Sequence, residues 1–293
     1  MTADAATDLF EDHRPVLTGV AYRMLGRIAD AEDVVQEAWL RWSAADRARV
    51  REPRAYLVRI TTRLAVDRLR HLRSRREAYP GPWLPEPLVT DFGPAVPDTA
   101  ERAVLADSVS FAVLIVLESL SPLERAVFVL REAFGFPYAE IAAALDRTEA
   151  AVRQLGGRAR RHVEERRPRY DVDPAERRDL TERFLAAAGG AVEPLLALLA
   201  PDVRLVGDSG GKAKGPRRII ETADKVGRFL FAVAGELDPA GELRVVELNG
   251  APAVVYFVGG KADAVFQIEV GQGVIQCAYI IRNPDKLAVL SVP

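Results

Sequence analysis

Asp30-Ala-Glu-Asp-Val-Val-Gln-Glu-Ala-Trp-Leu-Arg-Trp42, followed after the polar stretch 43–52 by Pro53-Arg-Ala-Tyr-Leu-Val-Arg-Ile-Thr-Thr-Arg-Leu-Ala-Val-Asp-Arg-Leu-Arg70, decides how this chain is read. In the first segment Val34, Val35, Ala38 and Trp42 recur at the spacing that places side chains on one face of a helix. Glu32, Asp33, Gln36, Glu37 and Leu40 fall on the other faces. An acidic helix face is either solvated surface or a docking surface for a protein, and the pattern alone leaves both open. The second segment is basic: between Arg47 and Arg76 stand eleven Arg against Glu52 and Asp67. Such a helix can neutralise a phosphate backbone, although for any single Arg a surface ion pair is an equal alternative.

The surrounding composition sets limits. Net charge is −2 over 293 residues, so the chain as a whole is no polycation and any nucleic-acid contact must come from local asymmetry. Its length allows three compact pieces. The lone cysteine, Cys277, excludes an intramolecular disulfide, and its apolar neighbours predict a buried, inert thiol. The acidic start lacks the apolar core of a leader, and no stretch has the roughly 18 apolar residues of a spanning helix. A soluble, cytoplasmic protein without membrane contact is expected.

Helical periodicity over 7–76 predicts a first all-α domain. Pro80, Pro82, Pro85, Pro87, Pro94 and Pro97 make 77–100 a linker of extended or polyproline backbone. A second all-α domain is expected over 101–169, with helical pattern resuming near Glu101. Ser121-Pro122-Leu123-Glu124 is a capping box that opens a helix over 122–134, ended by Gly135. Tyr138–Leu145, the turn Asp146-Arg147-Thr148 and a helix from Glu149 capped by Thr148 have helix-turn-helix lengths. Val152, Leu155, Ala159 and Val163 face inward there, and Arg153, Gln154, Arg158 and Arg161 do not. Arg153 and Gln154, early on this helix, suit bidentate contacts to guanine and adenine, while Arg158 and Arg161 suit phosphates.

The third domain, 173–293, is expected as an α+β cone with a curved antiparallel sheet. Asp173-Pro174-Ala175-Glu176 caps a helix over 175–188 that Gly189-Gly190 closes. Asn249-Gly250, Gly259-Gly260 and Gly271-Gln272-Gly273 punctuate a meander whose apolar face needs covering by helices over 175–188, 191–200 and 216–234. Ala264, Phe266, Ile268 and Val270 share one strand face, opposite Gln267 and Glu269. The loop Gly207-Asp-Ser-Gly-Gly-Lys-Ala-Lys-Gly215 is not a phosphate loop, because Val206 and Ala213 occupy positions where that motif needs Gly and Ser or Thr. Catalysis is not expected: His13, His71 and His162 all precede this domain, and Asp208 and Asp263 lack an evident acid–base partner. No metal and no cofactor are expected.

The segment 30–70 resembles region 2, and 121–167 region 4, of the bacterial extracytoplasmic-function (ECF) sigma factors, in matching order and spacing. The resemblance implies a multidomain protein in which two all-α domains, a region 2 bundle and a region 4 helix-turn-helix, precede the α+β domain. It implies that Asp30, Glu32, Asp33, Gln36, Glu37 and Leu40 dock on core RNA polymerase. Arg59, Arg63, Arg68 and Arg70, with a pocket formed by 43–52, would hold the opened minus-ten element, and Thr148, Arg153, Gln154, Arg158 and Arg161 would meet the minus-thirty-five element. One position departs: many members carry Asn where this chain has Arg63. Trp83-Leu84-Pro85-Glu86-Pro87-Leu88, Asp208-Ser209-Gly210-Gly211-Lys212 and Asn283-Pro284-Asp285-Lys286-Leu287 resemble signature segments of the group with a SnoaL-like C-terminal extension. They imply an interdomain contact by which that extension regulates the sigma domains in cis. The partners expected are core RNA polymerase and promoter DNA, with a small apolar ligand in the cone and a monomeric free state. The alternative is a ligand-responsive helix-turn-helix regulator that binds DNA without polymerase.

Overall fold

The computed structural model describes residues 3–46, 49–76, 78–91, 111–166, 172–188, 192–288 and 290. Arg47, Glu77, Pro94, Pro97, Glu101, Arg169 and Gly189-Gly190 lie outside them. Contacts divide the chain into two units, 1–77 with 96–167, and 78–95 with 168–293. Three pieces were expected. Instead the two helical domains share one unit, and the linker belongs with the C-terminal part.

The first unit begins with α1 (Ala3–Leu25), α2 (Ile28–Ala44) and α3 (Pro53–Arg76). These close on a core of Phe10, Leu17, Met24, Leu57 and Leu69, all essentially inaccessible. α4 (Phe111–Glu118) leads to α5 (Pro122–Phe128), whose N-terminus carries the full capping box of Ser121 and Glu124. The expected single helix over 122–134 changes pitch. Val129–Ala133 winds as a π-helix before Gly135, at φ +68°, ends it. Then come α6 (Tyr138–Leu145), an Asp146 in the left-handed region at φ 55°, and α7 (Glu149–Arg166). Thr148 Oγ1 accepts the Ala151 N–H at 3.2 Å, so it caps α7 as its spacing predicts.

The second unit contains β1 (Val89–Asp91), α8 (Pro174–Ala188), α9 (Val192–Leu196), β2 (Leu199–Asp208), β3 (Ile220–Glu221) and α10 (Ala223–Gly235). It continues with β4 (Glu242–Leu248), β5 (Ala251–Val258), β6 (Lys261–Gly271), β7 (Val274–Ile281) and α11 (Pro284–Leu287). Seven strands form one sheet in the order β1-β4-β5-β6-β7-β2-β3. The meander β4 to β7 turns at Asn249-Gly250, Gly259-Gly260 and Gln272-Gly273, where both residues of each pair have positive φ, as tight hairpins between right-twisted strands require. Register shifts at Tyr256/Phe257 and Glu269/Val270 are bulges, which bend the strands.

Three expectations change here. The described part of the helix expected over 191–200 is not one helix but the short α9 and, after a turn, the start of β2. Residues 216–234 contain β3 before α10. The sheet is not wholly antiparallel, because β2 runs parallel to β7, a pairing that no hairpin signal announces. The helix-covered core joins Leu180, Phe184 and Leu230 to Tyr256, Phe266 and Ile280, with the Phe184 and Phe266 rings 6.4 Å apart. The face carrying Gln267 and Glu269 was expected to be polar, yet Ala253, Val255, Val265, Gln267, Cys277 and Ile281 on it are buried as well.

Candidate nucleic-acid interface and linker clasp

Helix α2 turns Val34, Val35, Ala38 and Trp42 into the bundle, and the buried Trp42 indole donates to Ala6 O at 3.0 Å. Glu32, Asp33, Gln36 and Leu40 are left exposed, while Glu37 is partly covered and held by Arg41 at 2.9 Å. Leu40 is 54% exposed among these polar side chains. Asp30 does not belong to that face. It is 3% exposed, and its Oδ1 receives Arg68 Nη2 at 2.6 Å. A buried carboxylate paired with Arg pins α2 to α3, so Asp30 is removed from the expected polymerase set. Arg68 is likewise drawn from the expected DNA set into this pair and into a weaker one with Asp33.

The other minus-ten candidates have distinct surroundings. Arg70 pairs with Asp67 at 3.0 Å, and Arg59 lies with its guanidinium 5.2 Å from the Tyr56 ring. Arg63 donates through Nε to Ala144 O at 2.8 Å. That carbonyl lies in the last turn of α6, where carbonyls lack intrahelical partners and carry the negative end of the helix dipole. The same device recurs twice. Arg73 donates to Glu118 O, the end of α4, at 3.0 Å and to Leu120 O, while Arg125 Nε donates to Arg23 O near the end of α1 at 2.8 Å. Each bond joins the segment before 77 to the segment after 110. Arg125 is wholly buried and also pairs with Glu118 at 2.5 Å. Burial pushes the Arg23 guanidinium down to about 10, and Arg23 stacks 4.9 Å from the Phe134 ring.

The stretch 43–52 was expected to form a base pocket. Its described part, with Tyr56 and Arg59, lines a cavity of about 540 Å³ whose opposite wall is Phe136, Glu140 and Ala144 of the helix-turn-helix. In this arrangement the pocket is bounded by α6.

On α7, Val152, Ala159 and Val163 are buried, Leu155 is half-buried, and Arg153, Gln154, Arg158 and Arg161 are exposed. Arg153 is held by Glu149 Oε1 and stacks 4.9 Å from the Tyr138 ring. An exposed pair of this kind is worth at most about 1 kcal/mol, too little to prevent the guanidinium from turning to a base edge. Arg158 reaches Glu124 at 3.3 Å, and Arg161 its own helix at Gly157 O. The Thr148 hydroxyl is committed to its cap.

In the second unit the three signature segments meet. Asp208, at the end of β2, accepts the Tyr79 hydroxyl at 2.5 Å and the Gly210 N–H at 3.1 Å on Oδ1. Its Oδ2 accepts the Leu84 N–H at 2.8 Å and Lys286 Nζ at 2.6 Å. Both members of the ion pair are buried, with side chains 0% and 3% exposed. Lys286 also donates to Leu84 O and sits 4.0 Å from the Trp83 ring centroid. Asn283 caps α11 through Asp285 N–H and donates to the Tyr79 hydroxyl at 2.8 Å. Lys212 reaches Asp285 at 2.5 Å on the exposed side, and Leu287 is buried. Gly210 and Gly211 have φ of +59° and +69°, and a Cβ on Gly211 would stand 2.7 Å from Pro80 Cγ. These glycines therefore serve a turn that also lets the linker lie close.

Leu84, Pro85, Glu86, Pro87 and Leu88 are all buried. At their far end Leu88 N–H donates to Asn249 Oδ1 at 3.1 Å, Leu88 O accepts the Asn249 N–H at 2.8 Å, and β1 pairs with β4. The described part of the linker is therefore held at Tyr79 and Leu84 by Asp208 and ends in a short edge strand on β4. Tyr79 and Asn249 were missed as clasp residues. A lone aromatic before Pro80 was the only trace of the first, and Asn249 reads simply as a turn. Burial, reinforced by the Asp208 carboxylate, raises the Tyr79 hydroxyl above the ordinary tyrosine range. Cys277 is buried, and its thiol is pushed up to about 12 by that burial and by Glu269. Asp263 pairs with Arg282 at 2.5 Å. Among the described residues no group of His, Cys, Asp and Glu is arranged to hold a metal, and no helix is long and apolar enough to cross a membrane.

Comparison with known proteins follows the same division. The Sigma-70 region 2 model matches residues 9–76, and the Sigma-70, region 4 model matches 111–163. The ECF RNA polymerase sigma factor SigJ of Mycobacterium tuberculosis is 41% identical, over 94% of this chain and 91% of its own. The probable ECF RNA polymerase sigma factor SigI of the same species is 34% identical, over 97% and 95%. The crystal structure of M. tuberculosis SigJ superposes with a TM-score of 0.76 at 37% identity, covering 96% of this chain and 98% of that one.

Proposed function

Because the chain belongs to the extracytoplasmic-function family of RNA polymerase sigma factors, we propose that its C-terminal unit governs initiation by holding the linker between regions 2 and 4. As a sigma factor it works with core RNA polymerase at promoter DNA, so the alternative of a regulator acting without polymerase is set aside. Glu32, Asp33, Gln36, Glu37 and Leu40 form the polymerase face. Arg59, Arg63 and Arg70 contact the opened minus-ten strand, Arg153 and Gln154 read the minus-thirty-five duplex, and Arg158 and Arg161 meet its phosphates. The protein acts by binding, without catalysis, as a cytoplasmic monomer when free, and its cone takes a small apolar ligand.

Size carries the mechanism. The two promoter elements lie about 25 base pairs apart, or about 85 Å at about 3.4 Å per pair. A compact unit of about 150 residues is only about 40 Å across. Regions 2 and 4 must therefore separate, and the arginine bonds to Ala144, Glu118, Leu120 and Arg23 must break. The segment between them is the linker, and the observation that supports cis control is its clasp by the buried Asp208–Lys286 pair. Run-off transcription with purified core polymerase tests this. Lys286→Met in the full chain should change promoter-specific initiation at least severalfold. Equal rates and equal core affinity would sink the reading.

A further inference from the structure

Tyr138 opens α6 directly after Pro137, and three arginines gather on its half-buried side chain. The Arg153 and Arg131 guanidiniums each lie 4.9 Å from the ring centroid, and the hydroxyl interacts with Arg160, which Glu132 holds at 2.8 Å. Arg131 is itself tied to Phe136 O at 3.1 Å. The ring can approach α7 because Gly156 leaves it room. A Cβ there would stand 3.2 Å from the Tyr138 hydroxyl oxygen and 3.3 Å from its Cε1, whereas one on Gly157 would meet nothing within 4 Å. Glycine inside a helix is unfavourable relative to alanine, and the close approach of the ring gives Gly156 its reason.

We infer that Tyr138 is the positioning residue for base readout by Arg153, fixing the plane of its guanidinium before DNA arrives. Stacking uses the face of a guanidinium and leaves its edges free for hydrogen bonds. Glu149 Oε1 accepts from Nε and Nη2, so the remaining edge is Nη1 with the second Nη2 hydrogen, a two-donor fork that matches guanine O6 and N7. Among the described residues no hydrogen bond engages Nη1. An exposed arginine with no such support loses its rotamer freedom when it binds; one already held by a ring and a carboxylate has given up much of it in the free protein. Tyr138 thus acts on specificity through Arg153 without touching a base itself. The inference deepens the assignment of Arg153 to a base edge and rests on it.

The test is binding of the full chain, assembled with core polymerase, to a set of minus-thirty-five duplexes, read at the base pair where Arg153→Ala abolishes discrimination. Tyr138→Leu keeps apolar bulk but removes the ring face, and should lower discrimination at that pair about two- to fivefold, the worth of an exposed cation–π contact. Discrimination at other pairs and affinity for core should not change. Tyr138→Phe, which keeps the ring, should hold the preference within about twofold of wild type. Gly156→Ala displaces the ring and should lower the same discrimination, whereas Gly157→Ala brings the same gain in helix propensity and should not. Circular dichroism checks that each variant is folded. Loss spread evenly over all base pairs in Tyr138→Leu would make Tyr138 a mere support of the helix-turn-helix, and unchanged discrimination would mean that the ring does not aim Arg153; either result overturns the inference. Equal loss in Tyr138→Phe would overturn the part given to the ring, and equal effects of the two glycine variants would overturn the seat given to Gly156. Uniform loss in Arg153→Ala would refute base readout itself and take the inference with it, so the two failures are told apart.

Discussion

Removing the ammonium of Lys286 is the sharpest perturbation of the clasp. Lys286→Met keeps the length of the side chain and leaves the Asp208 carboxylate, wholly buried, with the Tyr79, Leu84 and Gly210 donors but no countercharge. Breaking a buried pair from one side costs about 3–5 kcal/mol, and the three remaining hydrogen bonds place this case near about 3 kcal/mol. Asp208→Asn alone leaves the Lys286 ammonium buried without a countercharge and should cost a similar amount. The double variant Asp208→Asn with Lys286→Met removes both charges while the Asn carbonyl still accepts from the linker, so its cost should fall short of the summed single changes by about 2 kcal/mol. The readout is amide exchange at Leu88. It bonds Asn249, not Asp208, and so reports release of the whole linker. A loss of about 3 kcal/mol corresponds to exchange roughly 150-fold faster, since every 1.4 kcal/mol is about tenfold. If Leu88 exchange in Lys286→Met stayed within threefold of wild type, or if the single effects simply added in the double variant, the clasp would not be a coupled charge pair that controls the linker.

Loss of two arginines and their three bonds between regions 2 and 4, in Arg63→Met with Arg73→Met, removes about 2–4 kcal/mol of charge-assisted bonding to helix ends, so small-angle scattering should show a larger radius of gyration. An unchanged radius would mean that apolar contacts alone hold the regions together. Arg153→Ala should weaken binding of the holoenzyme to the preferred promoter by about 1–3 kcal/mol and relax sequence preference, whereas uniform loss across sequences would assign Arg153 to a phosphate. The raised Tyr79 hydroxyl makes a pH prediction: the folded clasp favours the protonated phenol, so its contribution is complete below the ordinary value of about 10 and is lost as pH rises above it. Between about pH 9 and 11 the wild type should lose more stability in urea melts than Tyr79→Phe, and parallel losses would refute the assignment.

The helical half was legible because its signals are local. Stripe spacing, the capping box at Ser121 and the Thr148 cap each involve residues within one or two turns. Asp30 shows the cost of letting charge override spacing. It stands four residues before Val34 and eight before Ala38, on the buried stripe, so periodicity already placed it inside. The hairpins were legible for the same local reason, whereas the parallel β2–β7 pair and the β1 edge strand join residues far apart without a turn between them. The clasp was reached only through family resemblance, since Tyr79, Asp208 and Lys286 share no period. The arginine caps left no trace at all. Their acceptors are main-chain carbonyls, and a carbonyl's orphan status depends on where a helix stops and on which guanidinium the tertiary fold brings there.

That hidden use of Arg63 bears on how initiation is gated. In the closed unit its Nε is engaged by Ala144 O, and the pocket beside it is walled by the helix-turn-helix. The strand contact proposed for Arg63 and its bond to α6 therefore exclude each other, so opened DNA can bind region 2 fully only after region 4 has moved. Polymerase and promoter can shift that equilibrium only by the difference in their affinity for the open and closed forms. Moving it from 1:99 to 99:1 takes about 5.5 kcal/mol of such difference. A 1:99 start is a closed-state bias of about half that, which the bonds of three arginines at about 1–2 kcal/mol per arginine can supply. On the proposed reading, such a bias would keep the free protein off promoters, yet lie within reach of a core enzyme that engages the acidic face of α2 and the two DNA-binding regions together.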